Sequence, residues 1–133
     1  MVQWNCHGGS NQQWEFGPYC TSLSHSDVSD SCQIRNIGTG LCLDIPGYSQ
    51  SNGALLQQYR CKSVGNMSNQ MFREDPVYAP YLSAMGRIKV ATSGKCLDIP
   101  LPQSEHNFAN GVQVQQFTCN GGLNQQWLIV PNF

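Results

Sequence analysis

Two stretches near opposite ends of this chain spell almost the same word: "CHGGSNQQW", Cys6 to Trp14, and "CNGGLNQQW", Cys119 to Trp127. Between them, "GTGLCLDIPGYSQSNGALLQQYRCKSVGNMSNQMF" (Gly38 to Phe72) aligns with "TSGKCLDIPLPQSEHNFANGVQVQQFTCNGGLNQQW" (Thr92 to Trp127). The shared words run Gly-x-Cys-Leu-Asp-Ile-Pro, Asn-Gly, Gln-Gln-aromatic-x-Cys and Asn-Gln-x-aromatic. Cys42 precedes Cys96 by 54 positions and Asn69 precedes Asn124 by 55. Several words in one order at one spacing mark an internal repeat. The opening "VQWNCHGGSNQQW" is a further copy that carries only the back half, with Asn11 standing 58 positions before Asn69. The chain reads as two and a half repeats of about 40–55 residues within one domain spanning 1–133: a partial first (1–31), a second (32–76) and a third (77–133).

Each unit holds a strand around Cys-Leu-Asp-Ile, an Asn-Gly turn, a strand ending at the second Cys, and a strand at the Asn-Gln-x-aromatic word. No long stretch follows a 3.6-residue period, and Gly, Pro and Asn interrupt every segment, so the fold class is all-β. A unit this small cannot bury its own apolar face. Three around a threefold axis can share one core and close a barrel that leaves few strand edges exposed.

Composition excludes several roles. Charged residues make up 11% and the formal net charge is −1, with no basic patch for nucleic acid. No apolar run is long enough to span a membrane, and Met1 is not followed by the basic and apolar regions of a signal peptide. Seven cysteines, at 6, 20, 32, 42, 61, 96 and 119, include no C-x-x-C pair for zinc. That density fits disulfides in an oxidising, extracellular setting.

Strand alternation locates the candidate site. In "VQVQQF", Val112, Val114 and Gln116 share one face and Gln113, Gln115 and Phe117 the other. The same phase sends Leu56 inward and Gln57 with Tyr59 outward, and sets Val2 beside Trp4 on the outer face. An aromatic ring held outward at one place in every repeat is a platform for the C–H face of a pyranose. A carboxylate and planar amides beside it can hold the hydroxyls without a cofactor.

The Q-x-W words, the Cys-Leu-Asp words and their pairing resemble the ricin B-type lectin family, the β-trefoil carbohydrate-binding modules of the family 13 kind. The likeness runs from Val2 to Val130 outside the connections at 17–31 and 73–86. It implies a β-trefoil in which the front half of the first repeat is absent, and disulfides Cys42–Cys61 and Cys96–Cys119. Cys20 and Cys32 flank the Ser-rich "TSLSHSDVSDS" and can close it as a small loop, worth about 3 kcal/mol. Cys6 is then the odd cysteine, its expected partner lying in the absent half-repeat. Two readings of that absence compete: a fragment of a longer extracellular protein, which ranks ahead, or a short form completed by a partner chain or by dimerisation.

By the same resemblance, the second-repeat sugar site comprises Asp44, Gln57, Tyr59, Asn69 and Gln70, and the third-repeat site Asp98, Gln115, Phe117, Asn124 and Gln125. The first retains only Trp4, Asn11 and Gln12, with Val2 where the others have Gln, and is expected to be non-functional. The asparagines have a competing role in satisfying loop backbone, and the aspartates in capping turns. Trp14, Phe72 and Trp127 are assigned to the core, and Gln13 and Gln126 to exposed strand positions. Phe117 lacks the polar edge of Trp or Tyr. The segment "KSVGNMSNQ" is three residues longer between Cys61 and Asn69 than its counterparts. The loop "LPQSEHNFANG" lengthens the third repeat, and the second site is slightly preferred.

His7, His25 and His106 lie in loop-like sequence, and neither a Ser-His-Asp set nor a recurring carboxylate pair suggests an enzyme. Asn66-Met67-Ser68 forms a weak glycosylation sequon. The expectation is non-catalytic binding of galactose-, N-acetylgalactosamine- or xylan-type glycans, with no cofactor or metal, in the module of a secreted glycoside hydrolase or toxin. The alternative is a trefoil protein-interaction scaffold with degenerate sugar sites.

Overall fold

The computed structural model describes residues 1–21, 31–76, 85–100 and 110–128. His25, His106 and most of the "LPQSEHNFANG" loop lie outside the described residues. Among the described residues nine short strands follow one another: β1 (Trp14–Cys20), β2 (Ser31–Asn36), β3 (Cys42–Asp44), β4 (Gln57–Tyr59), β5 (Phe72–Pro76), β6 (Met85–Val90), β7 (Cys96–Asp98), β8 (Gln115–Phe117) and β9 (Trp127–Leu128). Among the described residues there is no α-helix. The 3₁₀ turns Ser10–Gln12, Ser68–Gln70 and Leu123–Gln125 each fall on an Asn-Gln word, and a fourth covers Pro46–Tyr48.

The strands form one antiparallel, curled sheet in the order β4-β3-β2-β5-β6-β7-β8, with β1 on β2 and β9 on β6. The repeat seen in sequence is a repeat of register. Cys42 faces Tyr59 and Asp44 faces Gln57 across β3–β4, while Cys96 faces Phe117 and Asp98 faces Gln115 across β7–β8.

At the centre the three copies are linked by a ring of backbone hydrogen bonds. The Met1 ammonium donates to the Leu56 carbonyl (2.7 Å), the Leu56 N–H to Val114 (3.0 Å), and the Val114 N–H to Met1 (2.9 Å). This ring of three bonds closes on itself, as a threefold axis requires, and it satisfies polar groups that would otherwise sit unpaired in a half-buried place.

The core is built from matched positions: Leu43 with Leu97, Ile45 with Ile99, and Leu56 with Val114, joined by Ile34, Phe72 and Val90. Each such side chain contributes about 1.5–3 kcal/mol on burial. Phe72 is fully buried, as its place in the repeat predicts. Trp14 and Trp127 are only half-buried and pack against the core. The Trp127 indole N–H donates to the Leu97 carbonyl at 3.2 Å, so the larger ring stays near the rim where its polar edge has a partner. Gln13 and Gln126, expected to be exposed, are also half-buried, and each stands just after a 3₁₀ turn rather than within a strand.

Three disulfides staple the loops: Cys20–Cys32, Cys42–Cys61 and Cys96–Cys119. Cys6 is a free, exposed thiol.

Candidate functional site

The loop after the second cysteine explains the doubled glycines. Gly8 and Gly121 each adopt φ +76°, a left-handed conformation that favours glycine. The next glycine has no room for a side chain: a Cβ on Gly122 would meet Asn124 Oδ1 at 2.5 Å, and one on Gly9 would meet Asn11 Oδ1 at 2.7 Å. The residue between cysteine and glycine folds back over the loop. Asn120 Oδ1 accepts the Gly122 N–H (2.8 Å), and His7 Nδ1 accepts the Gly9 N–H (3.0 Å). The 3₁₀ turn that follows then aims the Asn-Gln pair inward.

In the second repeat those amides converge on a carboxylate. Asp44 Oδ1 accepts from Gln57 Nε2 (2.9 Å), and Oδ2 accepts from Asn69 Nδ2 and Gln70 Nε2 (both 3.0 Å). The third repeat reproduces this set. Asp98 Oδ1 accepts from Gln115 (2.9 Å), and Oδ2 from Asn124 (3.0 Å) and Gln125 (2.8 Å). Both carboxylates are buried, at 1% and 3% exposure.

The second amide hydrogens have equally matched partners. Asn69 and Asn124 donate to the carbonyls of Ile45 and Ile99, and Gln70 and Gln125 to those of Arg60 and Thr118. The asparagines thus do satisfy backbone as well as reach the carboxylate. Gln70 and Gln125 have no exposed surface. Their Oε1 atoms accept backbone N–H groups from Lys62 and Asn120, so both polar ends are consumed behind the carboxylate.

Tyr59 and Phe117 lie on the same strand face as Gln57 and Gln115, two residues on, and remain 43% and 37% exposed. Each full repeat therefore sets an exposed ring beside a buried Asp–amide cluster. In the first copy Trp4 is exposed and the Gln12 amide keeps the bond to the carbonyl before the cysteine, Asn5 (2.8 Å), that Gln70 and Gln125 make to Arg60 and Thr118.

Two residues of the second site went unnoticed in sequence. Lys62 follows Cys61 as Asn120 follows Cys119, yet it has no acceptor atom to fold back with and its loop is longer. Its ammonium instead enters the site, 3.0 Å from Asn69 Oδ1, 3.2 Å from the Tyr48 hydroxyl and 3.8 Å from Asp44 Oδ2. Tyr48, held at φ 56° beside Gly47, carries its ring to 4.5 Å from that ammonium, and the Tyr59 ring lies at 5.4 Å. A pocket of about 480 Å³ opens between Tyr48, Tyr59, Arg60, Lys62, Ser63 and Asn66. Among the described residues no group of three His, Cys, Asp or Glu is placed to hold a metal ion.

Two solved structures share this architecture. A designed threefold-symmetric protein, ThreeFoil, superposes with a TM-score of 0.76 at 28% identity, covering 98% of this chain and 80% of its own. An exo-β-1,3-galactanase from Clostridium thermocellum matches with a TM-score of 0.71 at 27% identity over 97% of this chain, which spans 24% of that enzyme. The family model of the ricin-type β-trefoil lectin domain matches residues 30–132, well over half of the chain. With the repeated register, the matched Asp–amide clusters and that match together, the chain belongs to the ricin-type β-trefoil lectin domain family.

Proposed function

We propose that this chain is a non-catalytic carbohydrate-binding domain that takes galactose-containing glycans at the second and third repeats. The observation that carries the reading is the twice-repeated pairing of an exposed ring with a carboxylate fixed by three side-chain amides. The amides hold Asp44 and Asp98 in one orientation, so a hydroxyl arriving over Tyr59 or Phe117 meets pre-set polar groups at little ordering cost. Gln70 and Gln125 act as positioning residues from behind. Asn69 and Asn124 hold the other side of each carboxylate oxygen, and the rings supply the stacking surface.

The similarity to an exo-β-1,3-galactanase supports galactose over xylan-type ligands. It also supports a role in tethering an attached hydrolase to its polymer. Single shallow sites bind weakly, and two on one domain gain avidity on a repetitive glycan. Three disulfides suit a secreted protein.

The deep burial of both carboxylates favours a second reading, a protein-interaction scaffold with degenerate pockets. Titration of methyl β-galactoside and β-1,3-galactan against the wild-type chain, Tyr59→Ala, Phe117→Ala and the double variant separates the two. Stepwise loss of binding, about tenfold per ring, supports the lectin reading. No binding by the wild type, or unchanged binding by the double variant, refutes it.

A further inference from the structure

We infer that the two sugar sites have different ligand classes, and that Lys62 makes the second-repeat pocket selective for acidic sugars; this rests on the carbohydrate-binding reading above. The position after the second cysteine differs in each repeat: His7, Lys62 and Asn120. His7 and Asn120 each accept a glycine N–H two residues on, and so stay over their own loop. Lysine has only donors and cannot make that bond. The three-residue extension after it removes the glycine partner as well, and the side chain swings into the pocket.

There the ammonium donates to Asn69 Oδ1, the acceptor that a neutral hydroxyl would otherwise use. The Asp44 carboxylate below already receives three amide N–H groups and is 1% exposed. What faces the pocket is donor-rich. Lys62 and Arg60 line it and no carboxylate does, with the Arg60 guanidinium 6.0 Å from the Tyr59 ring centroid. Tyr48 and Tyr59 flank the ammonium with ring faces, which hold a cation in place, and its carboxylate neighbour, Asp44 Oδ2 at 3.8 Å, is buried and already accepts two amide N–H groups, so the pairing leaves the ammonium open to an anion from the pocket side. A sugar that stacks on Tyr59 and presents a carboxylate or sulfate can accept from Lys62 and Arg60 together. A neutral hexose must displace Lys62 from Asn69 and gains no charge pairing in return. The third repeat, with Asn120 folded away, keeps the neutral preference.

The test uses the Phe117→Ala chain, in which the second pocket is isolated, with methyl galactoside, the methyl glycoside of galacturonic acid with its carboxylate free, and methyl galactoside 6-sulfate as probes. These share a ring and differ at one carbon. The expected result is roughly five- to tenfold tighter binding of an acidic probe than of the galactoside at low salt. That advantage shrinks as sodium chloride is raised, and Lys62→Asn, which copies the third repeat, removes it. The two acidic probes then show whether carboxylate or sulfate is preferred. Equal affinity for acidic and neutral probes, or a preference that survives Lys62→Asn, overturns the inference. If the wild type binds galactoside through the third site while the Phe117→Ala chain binds no probe, the inference fails and the lectin reading stands. If the wild type binds none of the probes, both fail.

Discussion

Removing the Asp98 carboxylate tests whether the amide cluster is a structural unit as well as a binding element. Asp98→Ala deletes the acceptor of three N–H groups, from Gln115, Asn124 and Gln125, at 2.8–3.0 Å. Hydrogen bonds to a charged group contribute about 1.5–3 kcal/mol each, and a stranded buried donor costs about 1–3 kcal/mol. The three do not add in full, because Asn124 and Gln125 keep their second bonds to Ile99 and Thr118, and water can enter the space the carboxylate leaves. The net loss is about 3–5 kcal/mol, which for a chain of this size lowers Tm by roughly 10–20 °C. Urea unfolding of the oxidised protein, followed by tryptophan fluorescence, measures it. Asp44→Ala should lose at least as much, since its three amide bonds are the same within a few tenths of an ångström and it also pairs with Lys62 at 3.8 Å. A loss below about 1 kcal/mol in either variant would mean that the cluster is solvated in practice, and would refute the reasoning. The same arithmetic disqualifies the aspartate variants as clean tests of sugar binding, since loss of fold and loss of ligand would coincide.

The exposed rings behave oppositely. Tyr59→Ala and Phe117→Ala change stability by no more than about 0.5–1 kcal/mol in the same urea assay, because both rings keep over a third of their surface in water. Gly122→Ala costs about 1–3 kcal/mol and weakens third-site binding, since its Cβ must push Asn124 Oδ1 from 2.5 Å; an unchanged unfolding midpoint would refute this. Burial pushes the Met1 amino group below its ordinary value of 8.0. Between its folded pKa and 8.0 the unfolded chain binds more protons, so stability rises with pH across that window and levels off above it. A urea midpoint that stays flat there would refute the assignment.

The threefold fold was legible because its words recur with their spacing. Strand phase placed Leu56 and Val114 inward and Tyr59 and Phe117 outward, and the structure agrees at all four. Buried polar residues were legible only in part. Strand phase did set Gln116 on the inward face with Val112 and Val114, but Gln33 and Gln70 are as deeply buried, and nothing in a hydrophobic pattern says which glutamine finds partners across the fold. Gln33 donates to Gln70 Oε1 (2.9 Å) and to the Lys62 carbonyl (3.0 Å) from 37 and 29 residues away, and Gln116 donates to Ser49 and Ser51 from the preceding repeat. Trp14 and Trp127 pack against the core as assigned but stay half-buried: a repeated position fixes where a ring stands, but not how deeply it sinks.

Lys62 shows where this kind of reading breaks down and why the site can vary. The Asp–amide cluster is specified by side chains tied to one carboxylate and to backbone carbonyls, so a change there costs fold stability. The residue after the second cysteine is tied to the cluster glutamine by its backbone: Lys62 and Asn120 give the same N–H to Gln70 and Gln125, while their side chains bond elsewhere, Lys62 to Asn69 and Tyr48 and Asn120 to the Gly122 N–H. Its side chain is then free to follow loop length and local acceptors. Aligned words conserve the first kind of position and hide the second, since the difference lies in a three-residue extension that alignment treats as a gap. Ligand class on this scaffold should therefore be set by positions that carry the least of the folding energy. Holding groups and discriminating groups are separate sets of atoms, and only the holding set repeats.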